Sequence, residues 1–348
     1  MSTPPNRMTV VGAGLMGSEI AQVAAAAGCE VVLADVEQDL VERGLARVRE
    51  IGDRRVARGR WTAEQAAEVA ARVSGTTDLA DGTAGSSVAI EAVTERMEVK
   101  QTIFRSLDEA LDDGAMLASN TSGLSITELG RATGRPGQVV GLHFFNPASV
   151  MRLVEVVRGE DTTEDTVERA VALAEALGKT PVRVRECPGF LVNRILLRAL
   201  CAAYHAAQDA GAPPAAVDVA VAGDGPAPMG PFELGDLIGL DTLEHIRGDL
   251  EAAYGDRFDD DGAIGAQVSA GRLGSKSGAG FRAGVDTVEA DAGGDDGVAE
   301  RFYEAAADEA RRCLEEGVVG SADDIDVAMR LGCGWEHGPL GAEAVAER

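Results

Sequence analysis

The sequence predicts an α/β fold: an N-terminal Rossmann-like, doubly wound sheet followed by an all-α domain present in two copies. Three observations carry the prediction. A glycine-rich turn (Gly12, Gly14, Gly17) joins a β-branched run to a helix, strand-like runs then alternate with helical stretches as far as Arg185, and beyond Cys187 the alternation stops and a helical stretch recurs. Strands alternating with helices are the pattern of a sheet covered on both faces. The 348 residues divide accordingly into a dinucleotide-binding domain at 1–186, a helical domain at 187–284 and a shorter second helical copy at 298–348.

Met8 to Val11 reads as the first strand, Leu15 to Ala27 as an alanine-rich helix ended by Gly28, and Glu30 to Ala34 as the second strand, so the chain opens as a βαβ unit. From Glu37 to Ala71 charged residues dominate around apolar positions at helical spacing; Gly52 and Gly59 read as breaks, which predicts a projecting hairpin of two helices. Strands follow at Val88 to Val93, Ala115 to Ser119, Val139 to His143 and Leu153 to Val157, alternating with helices at Met97 to Leu111 and Ile126 to Ala132. Thr166 to Leu177 is one more helix and Pro181 to Arg185 one more strand. Residues 190–211 form a long amphipathic helix that starts the helical part. Further on, Val217 to Pro231 and Ile325 to Pro339 align without a gap, placing Asp218 opposite Asp326 and Gly230-Pro231 opposite Gly338-Pro339. The acidic, glycine-rich stretch from Gly284 to Gly297 reads as a linker between the copies.

Composition narrows the function. Hydrophobic residues are 45% and charged residues 26%, a soluble globular balance, and no apolar run reaches the ~18 residues of a membrane span. Met1 to Arg7 lacks the apolar core of a signal peptide, so the expectation is a cytoplasmic protein without membrane partners. A net charge of -26 excludes a simple nucleic-acid binder. The lysines are Lys100, Lys179 and Lys276 alone. An acidic, lysine-poor surface matches proteins of salt-loving (halophilic) organisms, where molar salt screens self-repulsion, and equally a coding bias toward Arg, Ala, Gly and Asp. Cys29, Cys187, Cys201, Cys313 and Cys333 are odd in number and lack ligand spacing, which predicts buried, reduced thiols, no disulfide framework and no metal site.

In the stretch Val10 to Gly17 the first glycine permits a positive φ, the second lets the backbone approach a pyrophosphate, and the third lets helix and strand pack closely. A glycine pattern alone also fits a packing turn, since the chain has 43 glycines. Here it follows a strand, opens a helix and precedes Asp35 at the end of the next strand, which makes it a dinucleotide fingerprint. A carboxylate at Asp35 accepts from ribose hydroxyls and repels a 2′-phosphate, so NAD is expected over NADP. Glu95 and Lys100 lie beyond the fourth strand-like run; taken alone they also read as a solvated helix face.

Oxidising a secondary alcohol needs a base for the hydroxyl proton, and histidine suits that task near neutrality. Of His143, His205, His245 and His337, only His143 sits at the C-terminal end of a sheet strand, where open α/β sheets bind ligands. Glu155 follows on the returning strand and can fix the imidazole tautomer. As an isolated pair they read first as a turn-capping histidine and a carboxylate on an exposed strand face. Their neighbours change that reading. VGAGLMG, SNTS, GLHFFNP, VMRLVEVV, PGFLVNR and MGPFELGDLIGLD, spread from Val10 to Asp241, resemble the 3-hydroxyacyl-CoA dehydrogenase family.

The resemblance implies His143 as general base, Glu155 as its orienting partner, and Ser122 and Asn193 as the groups that hold the hydroxyl and thioester oxygens of an acyl-CoA. It implies NAD contacts for Gly12, Gly14, Leu15, Met16, Gly17, Asp35, Glu95, Lys100, Ser119 and Asn120, with Asn146 supporting the site. Asn193 would arrive from the helical domain as a cleft closes. Coenzyme A phosphates would be met by Arg49, Arg54, Arg55 or Arg58 of the helical hairpin. The second copy has Glu300-Arg301 near the place of Asn193-Arg194 and so builds no second site. Family members with one copy dimerise through it, so this chain is expected as a homodimer or as a monomer with its helical copies paired internally. Two other readings stand beside this one: a related NAD-dependent dehydrogenase of a free hydroxy or sugar acid, as in gulonate dehydrogenases, and a non-enzymatic NAD-binding regulatory protein.

Overall fold

The computed structural model of the protein describes residues 3–284 and 297–341. They form two compact units that divide between Glu186 and Cys187. Most of the expected linker, 285–296, and the end of the expected second helical copy, 342–348, lie outside the described residues.

The first unit runs β1 (Arg7–Val11), α1 (Leu15–Ala26), β2 (Glu30–Ala34), α2 (Gln38–Ala57), α3 (Ala63–Ala71), β3 (Val73–Thr76), α4 (Leu79–Thr83), β4 (Val88–Glu91), α5 (Met97–Ala110), β5 (Met116–Ser119), α6 (Ile126–Arg131), β6 (Val139–Phe144), β7 (Leu153–Arg158), α7 (Glu164–Ala176) and β8 (Thr180–Arg185). The strands form one sheet in the order β3-β2-β1-β4-β5-β6-β7-β8. Every neighbouring pair is parallel except β6 and β7, which run antiparallel. The central strands are apolar almost throughout because helices cover both faces; β4, β5 and β6 are buried at every residue.

Gly52 does not break the hairpin. It lies inside α2, where a Cβ would come within 3.2 Å of the Ala66 Cβ on α3, so its lack of a side chain lets the two helices pack there. The break is Gly59, at a φ of +66°. Thr62 then starts α3 with a capping box closed by Gln65. The sequence reading misses β3 and α4. The strand has the sequence VSGT, lies at the sheet edge and buries only Val73 fully, so it carries no apolar run; the helix is five residues long and is held by its Asp78 cap.

The second unit comprises α8 (Val192–Ala210), α9 (Pro214–Asp224), α10 (Pro231–Ile238), α11 (Leu240–Tyr254), α12 (Ala263–Ser269), α13 (Val298–Glu315) and α14 (Ala322–Cys333). Its only β feature among the described residues is a single bridge between Gly274 and Ala279. The helix α13 packs along α8. Arg194, fully buried on the first turn of α8, lies 2.7 Å from Glu309 of α13 and 2.8 Å from Glu316, with the Tyr254 ring 4.1 Å from its guanidinium carbon. No disulfide joins the cysteines; Cys29, Cys201 and Cys313 are buried, whereas Cys187 and Cys333 are half-buried, short of the burial expected for all five. No helix among the described residues is long and apolar enough to cross a membrane.

The two stretches that align in sequence share one local device. Asp218 Oδ1 accepts from the Phe232 amide at 2.8 Å, and Asp326 Oδ1 accepts from the Leu340 amide at 3.4 Å. In each loop a glycine must pass over the aspartate: a Cβ on Gly230 would lie 2.2 Å from the Asp218 Cα, and one on Gly338 would lie 2.4 Å from the Asp326 Cα. Overpacking of this kind costs about 1–3 kcal/mol. Gly230→Ala and Gly338→Ala are each expected to lower the melting temperature of the helical unit by about 5 °C in scanning calorimetry. An unshifted Gly338→Ala transition would show that its loop does not close over Asp326.

Candidate active site

The glycine turn is built as its three positions require. Gly12 takes a φ of +106° and donates to the Ala34 carbonyl at 2.8 Å. A Cβ on Gly17 would come within 1.7 Å of the Gly12 oxygen, so helix and turn touch there. At Gly14 nothing lies within 4 Å of the same position, and this side of the turn is open. The helix α1 starts there with no side-chain cap and no acidic residue in its first turn, which leaves the positive end of its dipole for an anion. Leu15 is half exposed, and Met16 packs against the core. Asp35 is tied to the turn, Oδ2 accepting from the Ala13 amide and Oδ1 from the Val36 amide, both at 2.7 Å. An open cradle at Gly14 beside an anchored carboxylate fits the pyrophosphate and ribose of a dinucleotide.

Beside this turn stands a buried charge cluster. Glu91, the last residue of β4, accepts from Lys100 Nζ at 2.7 Å, Ser119 Oγ at 2.6 Å and the Val93 amide at 2.7 Å. Lys100 also lies 3.1 Å from Glu95, which accepts from Thr121 Oγ1 at 2.5 Å and the Ser122 amide at 2.8 Å. The cluster therefore fixes the Ser119 to Ser122 segment. Lys100 and Ser119 are both buried, with their polar atoms directed to Glu91 and Glu95. Sequence reasoning missed Glu91, which looks like the end of an apolar run; a carboxylate closing such a run with a lysine nine residues on was the available signal.

The strands β5 and β6 are neighbours, with Ser119 opposite Gly141, so this segment leaves the sheet next to His143. Asn120 Oδ1 accepts from the Phe144 amide at 2.9 Å. In the antiparallel β6–β7 pair His143 stands directly opposite Glu155. Nδ1 and Oε2 are 2.6 Å apart, with side chains 6% and 0% exposed, so the carboxylate is not on an exposed strand face. A carboxylate only accepts, which places the proton on Nδ1 and makes Nε2 the basic nitrogen of the ring. The Phe145 ring packs 4.5 Å from the imidazole. Asn146 is exposed on the following loop, and Asn193 lies on the first turn of α8 in the helical unit.

The loop at 145–152, between the two strands of this pair, is gripped from three elements. Glu19 of α1 accepts from the Ser149 amide at 2.8 Å, Arg55 of α2 donates to the Ser149 carbonyl at 2.5 Å, and Lys179 donates to the carbonyls of Ala148 and Met151. Arg54, Arg55, Arg58 and Arg60 line a pocket of about 360 Å³ with Pro147, Ser149 and Val150. Arg49 is not on its wall, and Arg60 takes its place. Glu19 and Lys179 also escaped the sequence reading; a lone carboxylate inside the alanine-rich α1 was the sign of the first.

Residues 7–187 match the NAD binding domain of 3-hydroxyacyl-CoA dehydrogenase, and residues 189–284 match its C-terminal domain. The second match stops short of α13 and α14, so it does not carry the two-copy expectation. A fatty acid oxidation complex subunit alpha from Idiomarina loihiensis is 37% identical over 347 residues, covering 94% of this chain and 48% of that protein. The chain thus spans about half the length of the curated relatives it matches. The structure of a 3-hydroxybutyryl-CoA dehydrogenase from Escherichia coli K12 has a TM-score of 0.88 at 30% identity, over 99% of this chain and 92% of that one. An (S)-3-hydroxybutyryl-CoA dehydrogenase from Ralstonia eutropha has a TM-score of 0.78 at 36% identity, over 81% of this chain and the whole of that one.

Burial pushes the Lys179 ammonium down from its ordinary 10.5 to about 8, with Arg55 and Arg152 adding to the shift and Glu19 opposing it. Between those values the unfolded chain holds a proton that the folded chain has released, so the stability of the wild type rises with pH across this window. Relative to Lys179→Met, the wild-type melting temperature is expected to climb between pH 8 and pH 10. A difference that stays flat with pH would place the ammonium in solvent.

Proposed function

Because this chain belongs to the 3-hydroxyacyl-CoA dehydrogenase family, we propose that it interconverts (S)-3-hydroxyacyl-CoA and 3-ketoacyl-CoA, with His143 as general base and Glu155 as its orienting partner. The observation that supports this best is the buried 2.6 Å contact between those two side chains at the C-terminal end of β6. The N-terminal domain is that family's NAD-binding domain. Bound NAD supplies the hydride acceptor. In the oxidising direction His143 Nε2 takes the hydroxyl proton, and the Glu155 carboxylate stabilises the imidazolium that forms. In reverse Nε2 returns the proton to the carbonyl oxygen. The resemblance of the motifs supports Ser122 and Asn193 as the groups that hold the hydroxyl and thioester oxygens of the substrate.

Asp35, anchored through Ala13, is suited to the ribose hydroxyls, and its charge disfavours a 2′-phosphate. Buried Lys100 and Ser119 hold Glu95 and the Ser119 to Ser122 segment in place from behind. The arginine pocket is suited to the phosphates of coenzyme A, and the shared aspartate and glycine device supports reading 298–348 as a second, shorter helical copy.

His143→Gln is expected to lower kcat about a thousandfold for acetoacetyl-CoA reduction by NADH while KM changes less than threefold. Near-normal turnover by that variant would refute the assignment, and faster reduction of a free ketoacid than of the thioester would favour the hydroxy-acid reading. Asp35→Ser is expected to raise KM for NADH roughly tenfold with little change in kcat, since it removes a charge-assisted hydrogen bond made in both ground and transition states. Steady-state kinetics with NADH and NADPH check this; equal use of both by the wild type would contradict it.

A further inference from the structure

We propose that a phosphorylated nucleotide seated in the arginine pocket sets the loop between β6 and β7, with Arg55 as a positioning residue for the His143–Glu155 pair. The inference rests on the reading of the substrate as a coenzyme A thioester and goes beyond it, because it gives the pocket a part in turnover as well as in binding.

The pocket and the loop are one structure. Ser149 is held through both of its backbone polar groups, the amide by Glu19 and the carbonyl by Arg55. Pro147 and Ser149 are also pocket wall, facing Arg54, Arg58 and Arg60. A ligand there touches the loop and also the guanidinium that holds it. The loop's two ends are β6 and β7, the strands on which His143 and Glu155 face one another. Any shift of the loop is passed to both partners, and displacements of an ångström at a reacting group alter rates severely.

Charge gives the device its direction. Arg55 is repelled by Arg60 and Lys179, and among the described residues Glu19 is the one carboxylate on the pocket wall. Burial already lowers the Arg55 pKa, so its charge is poorly solvated where it stands. A polyanion between the arginines removes the repulsion and steadies the grip of Arg55 on the Ser149 carbonyl. Binding energy from a part of the substrate remote from the reaction is thereby expressed in turnover.

The test separates the two halves of such a substrate. Reduction of S-acetoacetyl-N-acetylcysteamine, which lacks the nucleotide, is followed at saturating NADH with and without adenosine 3′,5′-bisphosphate. The nucleotide is expected to raise kcat for the truncated thioester roughly fivefold, saturably, whereas adenosine has no effect. Arg55→Met should abolish the stimulation and Arg55→Lys restore part of it. A nucleotide that competes with acetoacetyl-CoA yet leaves the truncated rate unchanged overturns the coupling, as does stimulation that survives in Arg55→Met. Acetoacetyl-CoA turnover by the same preparation checks the reading beneath: activity there without stimulation sinks the coupling alone, and no activity sinks the substrate assignment itself.

Discussion

The contact between His143 and Glu155 depends on strand register, and so does most of what surrounds it. A one-residue slip of β7 against β6 would carry Glu155 to the opposite face of the sheet, leaving a charge among the apolar side chains beneath α7 and an imidazole without its acceptor. The reversal of chain direction between β6 and β7 is what puts the two residues opposite each other. The grip on the intervening loop by Glu19, Arg55 and Lys179 follows from the same need. Three elements that are distant in sequence are recruited to hold one short connection.

Charge inside this unit is used to join elements. Glu91 ties β4 to α5 and β5 through Lys100 and Ser119, and Glu19 ties α1 to the β6–β7 loop. Each carboxylate is buried and would be left costly if its partners were removed. Against a net charge of -26, two of the chain's three lysines are directed inward. The third, Lys276, is half exposed and pairs with Asp241. In a surface so poor in lysine, Lys100 and Lys179 serve the interior, where an ammonium can meet several acceptors at once.

The parts legible in the sequence are those in which one residue type at one spacing answers one physical need. Gly12 needs a positive φ, Gly17 needs the absence of a side chain, and the apolar runs of β4 to β6 need cover on both faces. The histidine near the end of β6 and the carboxylate on the returning strand are legible only through the family motifs around them, because as an isolated pair they read as a turn cap and an exposed carboxylate. What was hidden depends on partners from elsewhere in the chain. Gly52 reads as a break because helix propensity is local, while its purpose is contact with Ala66 on α3. β3 has a single fully buried residue and exists because β2 offers it a ladder. Glu91 and Glu19 look like interruptions of apolar stretches until Lys100, Ser119 and Ser149 are brought against them.

The helical unit shows the same logic with a different consequence. Arg194 follows Asn193 on the first turn of α8 and is fully buried, so its charge requires acceptors from neighbouring helices. Those acceptors are Glu309 of α13 and Glu316 just beyond it, outside the stretch that matches the family's C-terminal domain. Arg257 reaches Glu309 as well, at 3.0 Å, so the buried carboxylate is shared between two guanidinium groups. Without α13 the start of α8 would lose the buried carboxylate that pairs with its interior charge. In this chain the second helical stretch is therefore part of the core of the first, and Arg194 on the first turn of α8 is held by residues more than a hundred positions downstream.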